Sequence, residues 1–372
     1  MARSPWTVHL VETLTGRLRA ELPLAEGGSW TDAINGPTAI TAKVPTPWLM
    51  EHVERSFWEP KRASLLACHL GEPIVLGPIL AVDSDPASST LTAGGLWNLL
   101  EGRTVTDRDR TNGAELAKSH LTITEGSLGT IARRVVEAAQ DRPNGWFPIS
   151  YGSPSESGSG RTRTYKGFNL SNNESAKRIG EITEVINGPD VAFRCRWRRR
   201  DEIVEWVMVH GTEGMPEIGQ EDMFVVEAAA PRGNAVAMNA TLKHDPVHRV
   251  YATGAGEDEA TLIEVASTRP PDGMPFVEMV ISDAQIENAA LLRSKARAVL
   301  TEGATVQIAT EVVAGDEMPL HRWWAGDEMQ VSWPKGWPQL KDGTYRMRLL
   351  SRSGDFSSTK VQCEFQPEGV TL

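Results

Sequence analysis

The sequence predicts a mainly β fold with α+β insertions: two β-barrel-like domains, one at each end, plus small α/β domains between them. Two observations lead there. Short apolar or alternating runs recur between turn residues at both ends of the chain, while segments of helical period are few and lie towards the middle. At 372 residues the chain also exceeds what one core of typical size organises, so two to four domains are expected.

Residues 1–105 form the first barrel-like domain. WTVHLVETL and RLRAELPL are the arms of a hairpin whose Thr15-Gly16 turn supplies a residue that tolerates positive φ. TAITAKVP, RASLLACHL, EPIVLGPILAVD and STLTAGGLW read as further strands, with a second hairpin turn at Leu70-Gly71-Glu72. Pro23 and Pro45 close strand runs because proline cannot donate to a ladder.

Residues 106–220 are the α/β middle region. In TEGSLGTIARRVVEAAQ, Leu128, Ile131, Val135 and Ala138 fall at helical spacing, which predicts a surface helix packing one stripe. The Ser- and Gly-rich stretch 152–164 has no apolar anchor to offset the entropy of ordering, so it is expected to be a flexible loop. A second helix is expected from Ser171, where Ser171 and Glu174 have capping-box spacing and Ala176, Ile179, Ile182 and Ile186 follow at helical intervals, ending at Asn187-Gly188-Pro189. VAFRCRW and EIVEWVMVH then form a hairpin. Its basic run from Arg194 to Arg200 is expected to alternate, with arginines in solvent and Phe193, Cys195 and Trp197 inside.

Residues 221–372 form the second barrel-like domain, interrupted by a helical insertion near 282–301. That helix starts with Ser282 and Gln285 in capping positions and presents Ile286, Ala289, Leu292, Ala296 and Val299. Strands are expected at DMFVVEAAA, AVAMNATL, HRVYATG and TLIEVAST before it, and at ATVQIATEVV, EMQVSW, TYRMRLLSRS and TKVQCEF after it.

Composition narrows the function classes. The hydrophobic fraction of 40% and charged fraction of 23% are globular values. No apolar stretch approaches the length of a membrane helix, and the opening residues lack a signal peptide's apolar core, so synthesis and storage in the cytosol until assembly or lysis are expected. A net charge of −11 argues against a duplex-gripping protein. Cys68, Cys195 and Cys363 are odd in number and far apart, which reads as buried thiols rather than a metal or redox site.

Catalytic and cofactor motifs fail on chemistry. His244 and His248 are four apart, but Pro246 disfavours the helix that would bring both rings to one face, and no glutamate base follows the first histidine. Gly254-Ala255-Gly256 runs into acidic residues that would repel a pyrophosphate, so it reads as a turn. No Walker loop and no GxSxG is present. No catalytic residue, cofactor or metal is therefore expected. The 12 tryptophans, against 4 tyrosines and 8 phenylalanines, are the most unusual feature. Trp6, Trp197 and Trp206 sit in strand runs and are expected in the core. Trp323, Trp324, Trp333 and Trp337 are interleaved with Pro, Gly and charges; a subunit interface is the candidate role, with local core and a carbohydrate site as alternatives.

Three stretches carry a resemblance: WTVHLVETLTGRLRAELPL with NGPTAITAKVP; LWNLLEGRTV at 96–105; and GRTRTYKGFNLSNNESAKRIGEITEVINGPDVAFRCRW at 160–197. In these the chain resembles the minor tail proteins of long-tailed phages that infect actinobacteria, which are similar in architecture to the baseplate hub of contractile-tailed phages. The resemblance spans the first 200 residues; the remainder matches only in β-rich character. It implies a structural, non-enzymatic tail-tip subunit in the virion. Three copies would form a ring that joins the sixfold tail tube and distal tail ring to the threefold tip. The implied partners are a homotrimer, the distal tail protein and other minor tail or tip proteins, with DNA passing the lumen without specific binding and no membrane insertion by this chain. An acidic chain suits such a lumen, since like charge disfavours adsorption. The alternatives are a tail-associated cell-wall hydrolase and a glycan-binding receptor module.

Overall fold

The chain enters on the predicted hairpin, β1 (Trp6–Glu12) with β2 (Leu18–Leu22), turning through Gly16 at φ +70°. There a Cβ would fall 1.9 Å from the Val204 carbonyl oxygen, so the turn accepts only glycine. The computed structural model describes residues 4–367 apart from 25–26, 109–110, 186, 220–223, 228–232, 244–246, 257, 285, 302–304, 316–317 and 334–341.

Next come β3 (Ser29–Ala33), β4 (Ala39–Pro45), helix α1 (Thr46–His52), β5 (Ala63–His69), β6 (Glu72–Ser84), β7 (Ser88–Gly94) and helix α2 (Leu96–Glu101). They pair in the order β3-β4-β7-β6-β5-β1-β2, every one of these contacts antiparallel. β5 is buried at all seven positions. Its run lacks alternation because both faces are covered: Ala63, Leu65 and Ala67 enter one core, Leu66 and Cys68 another.

That second core belongs to the middle region. Here α3 (Gly113–Lys118), β8 (His120–Gly126), α4 (Leu128–Gln140), β9 (Ile149–Tyr151), β10 (Ser157–Lys166), α5 (Ser175–Thr183), β11 (Val191–Arg199) and β12 (Ile203–His210) form a two-stranded ribbon, β10-β8, and a three-stranded sheet, β11-β12-β9. α4 carries more than the expected single stripe, since Ala132, Val136 and Ala139 are buried beside Leu128, Ile131 and Val135. The stretch expected as a flexible loop instead supplies β10, with Thr162–Lys166 in register against His120–Thr124. Cross-strand pairing with a distant segment provides the order that local composition does not. The helix expected from Ser171 is also displaced. Leu170–Asn172 is one 3₁₀ turn, and α5 starts at Ser175, whose amide donates to the Arg103 carbonyl at 2.8 Å. Its N-cap residue, Glu174, makes no side-chain cap, so tertiary contact positions this end. Ile186 lies outside the described residues.

The last region contributes β13 (Phe224–Glu227), β14 (Ala235–Lys243), β15 (Arg249–Thr253), β16 (Ile263–Ser267), β17 (Glu278–Ser282), α6 (Ala289–Thr301), β18 (Thr305–Val313), β19 (Glu328–Trp333), β20 (Gly343–Asp355) and β21 (Lys360–Pro367). α6 is shorter than expected. Ser282 ends β17, Gln285 lies outside the described residues, and Asn288 caps the helix by accepting from the amides of Ala290 and Leu291 at 2.8 and 3.2 Å. With β16-β15-β17, α6 encloses a small separate core around Val250, Ala252, Leu292 and Ala296.

The remaining strands pair as β14-β18-β21-β20, with β19 on β20 and β13 on β19. β20 does two jobs along its length. Gly343–Arg348 pairs with β19, while Ser351–Asp355 pairs with β3. That second pairing joins the strands of both chain ends into one 13-stranded sheet.

Candidate functional site

Arg352 marks the place where the chain ends meet. Its position on β20 follows the irregularity between Leu349 and Ser351, and its side chain is fully buried. A buried guanidinium is costly unless its donors are matched and its faces covered. Here Nε–H donates to Asp32 on β3 at 2.8 Å, and one terminal nitrogen donates to the carbonyls of Leu320 and Trp323, the former at 2.7 Å. The indoles of Trp324, Trp323 and Trp30 lie with ring centroids 4.4, 5.4 and 5.6 Å from its central carbon. Aromatic faces offer the cation their negative quadrupole where water is absent.

A second ion pair sits beside it. Arg194 on β11 donates to Asp327 at 3.0 Å, and the other carboxylate oxygen of Asp327 accepts the Trp324 amide at 2.7 Å. Arg194 is thus turned inward, unlike the exposed arginine expected from the alternation of its strand. Burial pulls its guanidinium below the ordinary value and pushes the Asp327 carboxyl above its own, each shift partly offset by the partner. A third pair joins Arg348 to Asp190. Asp190 also accepts from the side chain of Asn35 at 3.0 Å and from the Ile218 amide at 2.9 Å, while Asn35, in left-handed backbone at φ +55°, accepts the Val191 amide at 2.7 Å.

The three pairs tie β3, the β11 segment and β20 into one polar junction. Tryptophan N–H groups add staples between the same regions: Trp6 to the Ser358 carbonyl at 2.8 Å, Trp197 to Gly71 at 2.9 Å and Trp206 to Leu76 at 3.0 Å. Chemically, the arrangement fixes the regions relative to one another. Its charges are spent on partners within the chain.

The candidate interface tryptophans need correction in this light. Trp323, Trp324 and Trp333 are 0, 7 and 3% exposed, so an outer aromatic patch is not what these three form. Trp323 and Trp324 roof the buried cation, and their N–H groups reach the carbonyls of Met318 and His321 at 3.3 and 3.1 Å. Trp337 lies outside the described residues. Sequence reading passed over Asp32 and Arg352. The signal present was an aspartate on the same strand face as Trp30; Arg352 is out of phase with buried Met347 and Leu349 and faces inward only because the register shifts between Leu349 and Ser351, which strand alternation does not foretell.

His248 is buried, with Nδ1 accepting the Val277 amide at 3.1 Å, whereas His244 lies outside the described residues. All three cysteines are buried and free. Among the described residues no helix is long and apolar enough to cross a membrane.

No protein-family model matches the chain, and no curated protein sequence does. Solved structures do. A tail protein from Neisseria meningitidis MC58 superposes with a TM-score of 0.56 at 12% identity, covering 98% of this chain and 97% of that one. The fold is that of phage tail proteins. The prophage MuSo2 43 kDa tail protein from Shewanella oneidensis aligns with a TM-score of 0.53 at 10% identity over 97% of this chain and 98% of its own. Prophage tail protein gp18 from Listeria monocytogenes EGD-e gives 0.52 at 11% identity, over 98% and 95%.

Proposed function

We propose that this chain is a structural, non-enzymatic subunit of a phage tail, carried in the virion at the tail tip as a baseplate hub. The observation that carries the reading is end-to-end correspondence with tail proteins: three of them are covered over 95 to 98% of their own length, so the likeness is to whole subunits rather than to one shared module. The buried arginine junction supports it. A subunit that transmits force between rings benefits from regions fixed to each other by paired internal charges. The sequence resemblance supports the finer reading, a minor tail protein of a long-tailed phage of actinobacteria.

In that reading three copies close into a ring between the sixfold tube with its distal tail protein and the threefold tip, meeting other tip proteins and lining the channel that DNA passes through. Each subunit presents two barrel-like bodies, at residues 1–105 and 221–372, to its neighbours. Closed rings need repeated contacts between unlike faces of successive copies, which two bodies per chain offer. The net charge of −11 disfavours adsorption of passing DNA. Light scattering on the purified chain, alone and mixed with the tail subunits encoded beside it, tests this. A trimer in either condition is expected; a monomer in both that also degrades cell wall would replace the reading with a hydrolase.

A further inference from the structure

Between the β10-β8 ribbon, α5 and the small unit carrying α6 lies a cleft of about 400 Å³, within the size range of built binding sites. One wall is unusual: Thr162, Arg163, Thr164, Tyr165 and Lys166 all contribute to it. Successive side chains leave a strand on opposite faces, so a wall drawn from five successive residues is the strand's edge. Among the described residues β10 pairs with β8 alone, which leaves that edge without a ladder partner. A two-stranded ribbon is also marginal by itself and gains from a third strand.

The other surfaces of the cleft combine apolar and charged side chains. Ile182 comes from α5 and Val185 from just beyond its end, Ile286 and Leu291 from the opposite unit. Three of the four cations that line it are committed: Lys166 to Glu287 at 2.6 Å, Lys295 to Asp283 at 3.3 Å, and Arg178 to Glu181 at 2.5 Å. Those pairs use all three carboxylates of the lining. Arg163 is left over. It is half-buried, its guanidinium makes no hydrogen bond or ion pair among the described residues, and the Tyr165 hydroxyl beside it makes none either. Burial lowers the guanidinium's pKa, and the nearby Tyr165 and Glu181, the latter bonded to Arg178, offset only part of that cost. A desolvated cation on an open strand edge next to an apolar pocket describes the complement of its ligand.

We infer that this cleft receives an extended segment of another tail protein, which adds to the edge of β10 as a third strand, seats an aliphatic side chain between α5 and Leu291, and pairs a carboxylate with Arg163. Backbone bonding supplies affinity while the pocket and the arginine supply selection, as in other strand-addition sites. The occupant is committed by charge: one surplus cation calls for one carboxylate. The source of the strand rests on the tail-subunit reading; the binding chemistry does not.

The test uses the full chain and two labelled, end-blocked heptapeptides of alternating valine and threonine, one with a central glutamate and one with a central lysine. Saturable binding of the glutamate peptide is expected, with slowed amide exchange at residues 162–166. Arg163→Glu is expected to weaken that binding at least about tenfold and to create binding of the lysine peptide. The swap doubles as proof that the variant is folded. Absence of saturable binding, or binding that the variant leaves unchanged, overturns the inference. A trimer seen by light scattering would uphold the tail reading even then, so the two failures are told apart.

Discussion

Arg352 and Asp32 are 320 residues apart in sequence and 2.8 Å apart in the fold, and both are buried. Among the described residues their bond lies on the one strand pairing, β20 with β3, that joins the strands of the two chain ends. Removing the carboxylate leaves the cation uncompensated in the interior. Asp32→Ala is therefore expected to cost about 3–5 kcal/mol, whereas Asp32→Leu with Arg352→Met is expected to cost less than either single change. Urea unfolding of the parent, Asp32→Ala, the Asp32→Leu and Arg352→Met singles and the double variant measures this; a double-variant loss equal to the sum of its two single losses would refute the coupling.

Trp323 is buried under the same cation. Trp323→Ala should lower stability by about 3–5 kcal/mol in the isolated chain, through lost packing and lost cover for Arg352. Calorimetry or denaturant midpoints would register it. A variant as stable as the parent would return this ring to an interface role.

Acid should loosen the fold through buried histidines. Burial holds the imidazoles of His9, His69 and His210 below their ordinary value of 6.5. The unfolded chain therefore takes up protons first as pH falls. Their contribution is complete above about pH 6.5 and is lost progressively below it. Urea midpoints are expected to fall between about pH 7.5 and pH 5.5. His210→Gln should flatten that slope, since the parent ring packs against Gly129 and makes one internal bond, between Nδ1 and the Gly211 carbonyl at 2.9 Å.

The thiols report on the same interior. Burial raises the pKa of Cys68 and Cys195, and that of Cys363 to about 12. A thiolate reagent at neutral pH is expected to label none of the three within minutes and all three in denaturant. Rapid labelling of the folded chain would show that one of these cores opens.

By itself the sequence determined most strands, the turn at Gly16 and the amphipathic period of α4, because each is written in neighbouring residues at a spacing of two or three to four. Even the unbroken apolar run of β5 was legible as a strand, although not the reason for it, which is a core on either face. What only the tertiary structure decided rests on distant partners. β10 is ordered by β8, α5 starts where Arg103 receives its first amide, and Arg194 turns inward because Asp327 waits there. Trp323 and Trp324 read as exposed because Pro, Gly and charges surround them in sequence. They are buried because the charge that needs covering, Arg352, arrives from a strand nearly thirty residues later and meets Asp32 from the other end of the chain. Local periodicity records which face of an element is apolar; it carries no record of which charge will be brought against that face.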